Sequence, residues 1–219
     1  VSQDKKEAVS WFRKAAELGE PLAQYNMGLC YYHGAGIAKD KAEAVKWYQK
    51  AADQGIADAQ ADLGVAYGNG EGVAQNALES CKWYTRAAAL GNARAANNLG
   101  CQFALGDKIP QDDAKATEFF VIAIQRGFDL SAQREKVREL VLNSIYASVS
   151  PRNGGMREIN PEAETYIDLD GRVKFYKEPE LSSNRPLLSA RRQQEIAGYV
   201  RIGELMDIAI ETVGSKNQG

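Results

Sequence analysis

One spacing constrains this chain more than any other property: residue types recur every 36 positions through roughly its first 130 residues. Trp11, Trp47, Trp83 and Phe119 share one register, and Phe12, Tyr48, Tyr84 and Phe120 the next. Gly19, Gly55, Gly91 and Gly127 repeat in phase with them, as do Ala15, Ala51, Ala87 and Ala123. Shorter ladders run through Gly28, Gly64 and Gly100 and through Gly34, Gly70 and Gly106. A fixed period of this length marks stacked supersecondary units, each too small to bury its own apolar face.

Each ladder has a local physical reading. Asp4, Asp40, Asn76 and Asp112 stand where a helix should begin, and Glu7, Glu43 and Glu79 follow the first three at the spacing of a capping box. The glycines at 19, 55, 91 and 127 suit the left-handed position after a helix. Helices are therefore predicted near 4–18, 40–54, 76–90 and 112–126, alternating with shorter ones at 21–33, 57–69 and 93–105, the first opened by Pro21. Gly28, Gly64 and Gly100 fall inside the shorter helices, where glycine costs about 1 kcal/mol relative to alanine. Three repetitions of that cost predict a neighbour packed close to the backbone.

The strings AVSWFRKAAELG, AVKWYQKAADQG and CKWYTRAAALG, with AQYNMGLCYYHGAGIAKD and AQADLGVAYGNGEGVAQN, resemble Sel-1-like repeats, relatives of the tetratricopeptide repeats. The resemblance spans residues 1–133 and implies a mainly α fold, an α/α superhelix that binds another protein and is not an enzyme. By the same resemblance the shorter helices line the concave face. The outward positions expected there are Leu22, Tyr25, Asn26, Tyr32 and His33, then Asp58, Asp62 and Asn69, then Arg94, Asn97 and Asn98. Tyrosine and asparagine supply contact area and adaptable hydrogen bonds.

Both ends depart from the pattern. Ile124 replaces the alanine of Ala16, Ala52 and Ala88, and Glu135, Lys136 and Glu139 stand where the previous unit has Leu99, Gly100 and Phe103. Val137, Leu140, Val141 and Ile145 form a new stripe, so a helix near 129–146 leads into a second region, 134–219, that caps the solenoid or forms a small α+β module. Pro151, Asn153-Gly154-Gly155 and Asn160-Pro161 read as a loop within 147–164. A β-hairpin is expected at 165–176, with Ile167 opposite Val173, Thr165 opposite Phe175 and Asp168 opposite Arg172 around Leu169-Asp170-Gly171. Ser189 then caps a long helix to about Val213, with the stripe Ile196, Tyr199, Val200, Gly203, Met206, Ile210 and Val213. At the other end Val1 is in phase with Ile37 and Val73, so the partner helix of the first unit is expected upstream, or something else covers that face.

The remaining chemistry falls into structural slots. A net charge of -2 with interspersed signs gives no reason to expect nucleic acid, and no apolar run approaches a membrane span. Cys30 and His33 lie one turn apart, but their phase mates are Ala66 and Gln102, and Asn69 and Leu105, and no orienting acid accompanies them. Cys81 and Cys101 are in phase with Val9 and Val45, and with Leu29 and Val65, as core thiols. Asp112 of the Asp112-Asp113 pair is a cap, the Glu178 and Glu180 string a solvated loop, and Lys14, Lys50 and Arg86 a solvated basic row beside Glu17 and Asp53. No metal, cofactor or small-molecule substrate is expected.

Two functional readings follow. The first is a protein-binding module, and more narrowly a bacterial immunity or adaptor protein that neutralises a secreted toxin such as a phospholipase, in periplasm or cytoplasm. The second is an assembly scaffold or regulator in cell-envelope, signalling or quality-control complexes.

Overall fold

The computed structural model describes residues 3–106, 109–138, 165–167, 173–175 and 190–216. Seven helices follow the repeat: α1 (Gln3–Glu17), α2 (Pro21–His33), α3 (Lys41–Asp53), α4 (Ala57–Asn69), α5 (Ala77–Ala89), α6 (Ala93–Leu105) and α7 (Asp113–Gln125). Residues 130–138 are helical and are called α8. Strands β1 (Thr165–Ile167) and β2 (Val173–Phe175) and the helix α9 (Ala190–Lys216) complete the described chain.

The odd-numbered repeat helices end at glycines with φ between 85° and 95°, as the ladder required. Their starts need a correction. Asp40, Asn76 and Asp112 do accept the backbone N–H three residues on, at 3.0, 3.1 and 3.0 Å. Asp4 does not cap, because α1 already begins at Gln3. The reciprocal half of the box is also replaced: Glu43 and Glu79 take Lys46 and Lys82 as partners, at 2.9 and 2.6 Å. The N–H of each capping residue goes instead to the preceding helix, onto Tyr31, Tyr67 and Phe103 carbonyls at 2.9, 2.8 and 3.0 Å. Each cap thereby fastens its helix to the previous unit.

The close approach predicted at the mid-helix glycines is the joint of α2 with α3, α4 with α5 and α6 with α7. Tyr48 lies on Gly28, Tyr84 on Gly64 and Phe120 on Gly100. A Cβ on Gly64 or on Gly100 would stand 2.5 Å from the facing ring, inside any tolerable contact. Trp47 fills the groove behind that joint, buried among Val9, Ala16, Ala23, Met27 and Cys30.

A second ladder, of amides, closes the turns. Gln24 and Gln60 are buried and donate from Nε2 to the Ala16 and Ala52 carbonyls at 3.2 and 3.0 Å, satisfying helix C-terminal acceptors. Gln24 in turn accepts from Gln54 at 2.7 Å. The position in phase with Gln54 is Leu90, so the Gln60 Oε1 is left buried without a partner.

The solenoid ends under α9. Arg201 pairs with Asp113 at the start of α7, through Nε at 2.9 Å and Nη2 at 2.5 Å, and Arg134 of α8 with Asp207 at 2.6 Å. Ile210 and Val213 line one cleft with Ile124 at the other end of α7, so α9 runs parallel to α7. Ile202, Leu205, Met206 and Ala209 join Ala116, Phe120, Leu130 and Val137 in one core. The stripe read from the sequence is therefore displaced: Ile202, Leu205 and Ala209 are buried, whereas Gly203 has nothing within 4 Å of a Cβ position. A helix seated against both α7 and α8 buries a wider arc than a single-sided stripe allows for. The hairpin forms with the expected pairs Thr165–Phe175 and Ile167–Val173. Asp168, Arg172, the loop at 147–164, the end of the 129–146 helix, Ser189, Glu178 and Glu180 lie outside the described residues.

Two stability outcomes follow. Leu90→Gln restores the missing donor and removes an exposed apolar side chain, and should stabilise the protein by about 1 kcal/mol in urea unfolding. Gly64→Ala should destabilise it by about 1 to 3 kcal/mol in the same assay, because the methyl must displace the Tyr84 ring.

Candidate interaction face

The helices α2, α4 and α6 present residues in registers shared by successive repeats. Leu22, Asp58 and Arg94 form one row and are exposed; Asn26, Asp62 and Asn98 form the adjacent row and are half-buried. Asp62 is the centre of the arrangement. It accepts the Tyr25 hydroxyl from the preceding repeat at 3.1 Å and pairs with Arg94 of the following one at 2.7 Å. Asp58 accepts from the Asn92 amide at 2.8 Å, adding a second bond between the same two repeats.

Tyrosines from the other helix set lie buried beneath the face, Tyr48 2% and Tyr84 5% exposed. Tyr48 packs against Tyr25, ring centroids 5.8 Å apart. Burial and then the Asp62 charge push the Tyr25 and Tyr48 hydroxyls well above the usual tyrosine range. Burial likewise pushes Tyr84 from 10.0 up to about 12. A smaller group lies at the far ends of these helices. Glu71 accepts from Tyr32 at 2.6 Å and pairs with Lys41 at 2.9 Å, which hold its carboxyl below the usual range. His33 stands edge-on to Tyr32 at 5.0 Å.

Of the positions expected on this face, Tyr25, Asp62 and Arg94 are joined directly, Asp58 is held by Asn92, and Tyr32 belongs to the separate Glu71 group. Leu22, Asn26 and His33 contribute surface without entering the Asp62 network. Asn97 is a correction. It is only 4% exposed, buried like its phase mate Ala61, whereas Tyr25 in the same register reaches the surface. Its Oδ1 has no hydrogen-bond partner.

Reading by helix set missed Tyr48, Tyr84, Lys41, Glu71 and Asn92. A signal for the first two was present: the ring ladder carries a hydroxyl at 48 and 84 and loses it at Phe120. The basic row is exposed, as expected, and each of its cations also lies over a ring. Lys14, Lys50 and Arg86 sit over Trp11, Trp47 and Trp83 at 4.6, 4.0 and 4.6 Å from the ring centroids. Burial raises the thiols of Cys30, Cys81 and Cys101, which disfavours the reactive thiolate.

Two-helix units joined ring-on-glycine at a constant period define an α/α solenoid of repeat type. The chain belongs to the Sel1 repeat family: residues 1–20, 21–56, 57–92 and 93–128 each match the Sel1 repeat. A crystal structure of a Sel1 repeat protein from Oxalobacter formigenes is 37% identical, with a TM-score of 0.57 over 65% of this chain and 58% of that one. The protective antigen c5321 of uropathogenic Escherichia coli, which displays an SLR fold, is 33% identical, with a TM-score of 0.56 over 65% of this chain and 29% of its own. The chain thus spans less than two thirds of either relative. No match is found among curated proteins. Sel1 repeat proteins generally mediate protein–protein interaction and are typically not enzymes.

The tyrosines generate a pH prediction. In the folded state the neutral form of Tyr84 is favoured, whereas in the unfolded chain it ionises near 10.0. Stability is therefore complete below that value and is lost as pH rises towards about 12. Urea unfolding at stepped pH should show this fall, and Tyr84→Phe should make it shallower by up to about one proton. An unchanged slope in the variant would contradict the assignment.

Proposed function

We propose that this chain is a non-catalytic protein-binding module whose partner seats on the face made by α2, α4 and α6. The observation that carries the reading is the Tyr25–Asp62–Arg94 chain across three successive repeats. Polar side chains already fixed by one another lose little freedom when a partner arrives, so a larger share of the contact energy appears as affinity. Tyrosines, asparagines and paired charges in one surface also match the composition of protein-recognition sites.

At finer grain, the partner is a secreted toxin effector, and the chain acts as its immunity protein or adaptor. A face built from several repeats supports this, since its shape and charge pattern can match one folded protein without a dedicated pocket. The test begins with affinity capture from the native host, comparing the unmodified chain with an Asn26→Arg/Asp58→Lys variant of unchanged helical content. A toxin effector should be recovered with the former and fall by about tenfold or more with the latter. Co-expression of the recovered effector should be tolerated only with the unmodified chain. Reproducible absence of any effector would sink the finer reading, and equal capture by both proteins would move the interface off this face.

A further inference from the structure

Asp58 on α4 and Arg94 on α6 set opposite charges in one register of successive repeats, and both are exposed. Their helices are interior to the stack. Tyr25 of α2 and Arg94 of α6 tie α4 from both sides, and α9 meets α6 where Leu105 lies on Gly198. Both charges keep unused bonding capacity. Asp58 accepts the Asn92 amide on Oδ1, and Arg94 reaches Asp62 through Nη2. Among the described residues, the Asp58 Oδ2 and the Arg94 Nε and Nη1 have no partner. Asp62 also holds the guanidinium in place, since it is itself fixed by the Tyr25 hydroxyl. Beside this row lie Asp62 and Asn98, half-buried and polar.

A ligand that pairs with both charges must set a cation and a carboxylate about 8–10 Å apart, the spacing of packed helices. A polyproline-II chain does so between residues i and i+3, which share one side of its three-residue turn at about 9.3 Å. Same-side residues of a β-strand fall about 6.8 or 13.6 Å apart, to either side of that spacing. An α-helix comes near it at i+7, about 10.5 Å, but a docked helix needs an apolar groove beneath it. Asp62 and Asn98 offer it none. A polyproline-II backbone has no internal hydrogen bonds, so its carbonyls are free to accept from the Asn98 amide. On the reading of this face as the partner's seat, and from this match of charge and spacing, we propose that the face takes a polyproline-II segment of the partner. Lysine or arginine of that segment stands opposite Asp58, and aspartate or glutamate three residues away stands opposite Arg94. The segment can run in either sense.

Fluorescein-labelled peptides, titrated with the whole chain at low ionic strength and followed by anisotropy, test this. The probe PPKPPEPP should bind saturably with a Kd at or below about 1 mM. PPKPPPEPP, whose extra proline turns the carboxylate to another side, and PPKPPKPP should each bind about three- to fivefold or more weakly, the effect of one partly exposed ion pair. Asp58→Lys, with unchanged helical content, should reverse the preference, so that PPEPPEPP binds more tightly than PPKPPEPP. Arg94→Gln should bind PPKPPEPP and PPKPPQPP alike. Equal binding of the two spacings, an unchanged preference in Asp58→Lys, or no binding of PPKPPEPP at about 1 mM overturns the inference. In that event, capture of a host partner that is still lost with Asn26→Arg/Asp58→Lys would keep the face as the interface and remove only the polyproline-II segment.

Discussion

The stack rests on an aromatic ring laid against bare backbone. Helices of 13 residues are marginal alone, so the units of this chain are stable only through their contacts with neighbours. Tyr48 on Gly28, Tyr84 on Gly64 and Phe120 on Gly100 supply those contacts at a separation that no other residue at the glycine positions would permit. The cost of a glycine inside a helix is thus exchanged for a joint that fixes both distance and register. The capping residues reinforce it, since Asp40, Asn76 and Asp112 donate their N–H to the helix that the ring packs against.

The same joint builds the candidate face. A ring that crosses a glycine carries its para position through to the neighbouring helix set, so Tyr48 and Tyr84 add hydroxyls among side chains of α2, α4 and α6. Asp62 then collects interactions from three repeats, and its position at the middle of the row is what lets one carboxylate do so. The polar surface fades where the ring becomes Phe120 and the next residue of the row, Arg134, is drawn to Asp207 on α9. Packing and recognition therefore share residues, and a substitution at Tyr84 acts on both.

Most of the solenoid was legible because its determinants are local and repeated. Helix ends, glycine turns and the demand for a close neighbour at Gly64 all follow from residues within one period, and repetition distinguishes them from accident. Asn97 was misplaced because helical spacing gives a face but not the depth to which each residue sinks; its register also holds half-buried Tyr25 and fully buried Ala61. The reciprocal capping bonds failed for a related reason: Glu43 had a competing partner in Lys46, which a motif of fixed spacing does not weigh. The orphaned Gln60 oxygen became visible only when Gln54 and Leu90 were compared through the structure. In α9 no repeat exists to calibrate the stripe, and its burial depends on two partners far away in sequence.

The repeat helix beside α9 differs in chemistry from the others, and α7 shows how its outward side is adapted. Its ring slot at 119 is phenylalanine instead of tryptophan, and Ile122 replaces the cation that sits on the ring in α1, α3 and α5. With Val121 and Ile124 this turns a polar flank apolar, and Val121 and Ile124 pack against the core that α9 completes. Two exposed ion pairs then fix the alignment of α9 while burial supplies its stability, in keeping with the small worth of such pairs on their own. None of these changes is present in α3 or α5. Each keeps the tryptophan and the cation over it, so the apolar flank goes with the presence of α9.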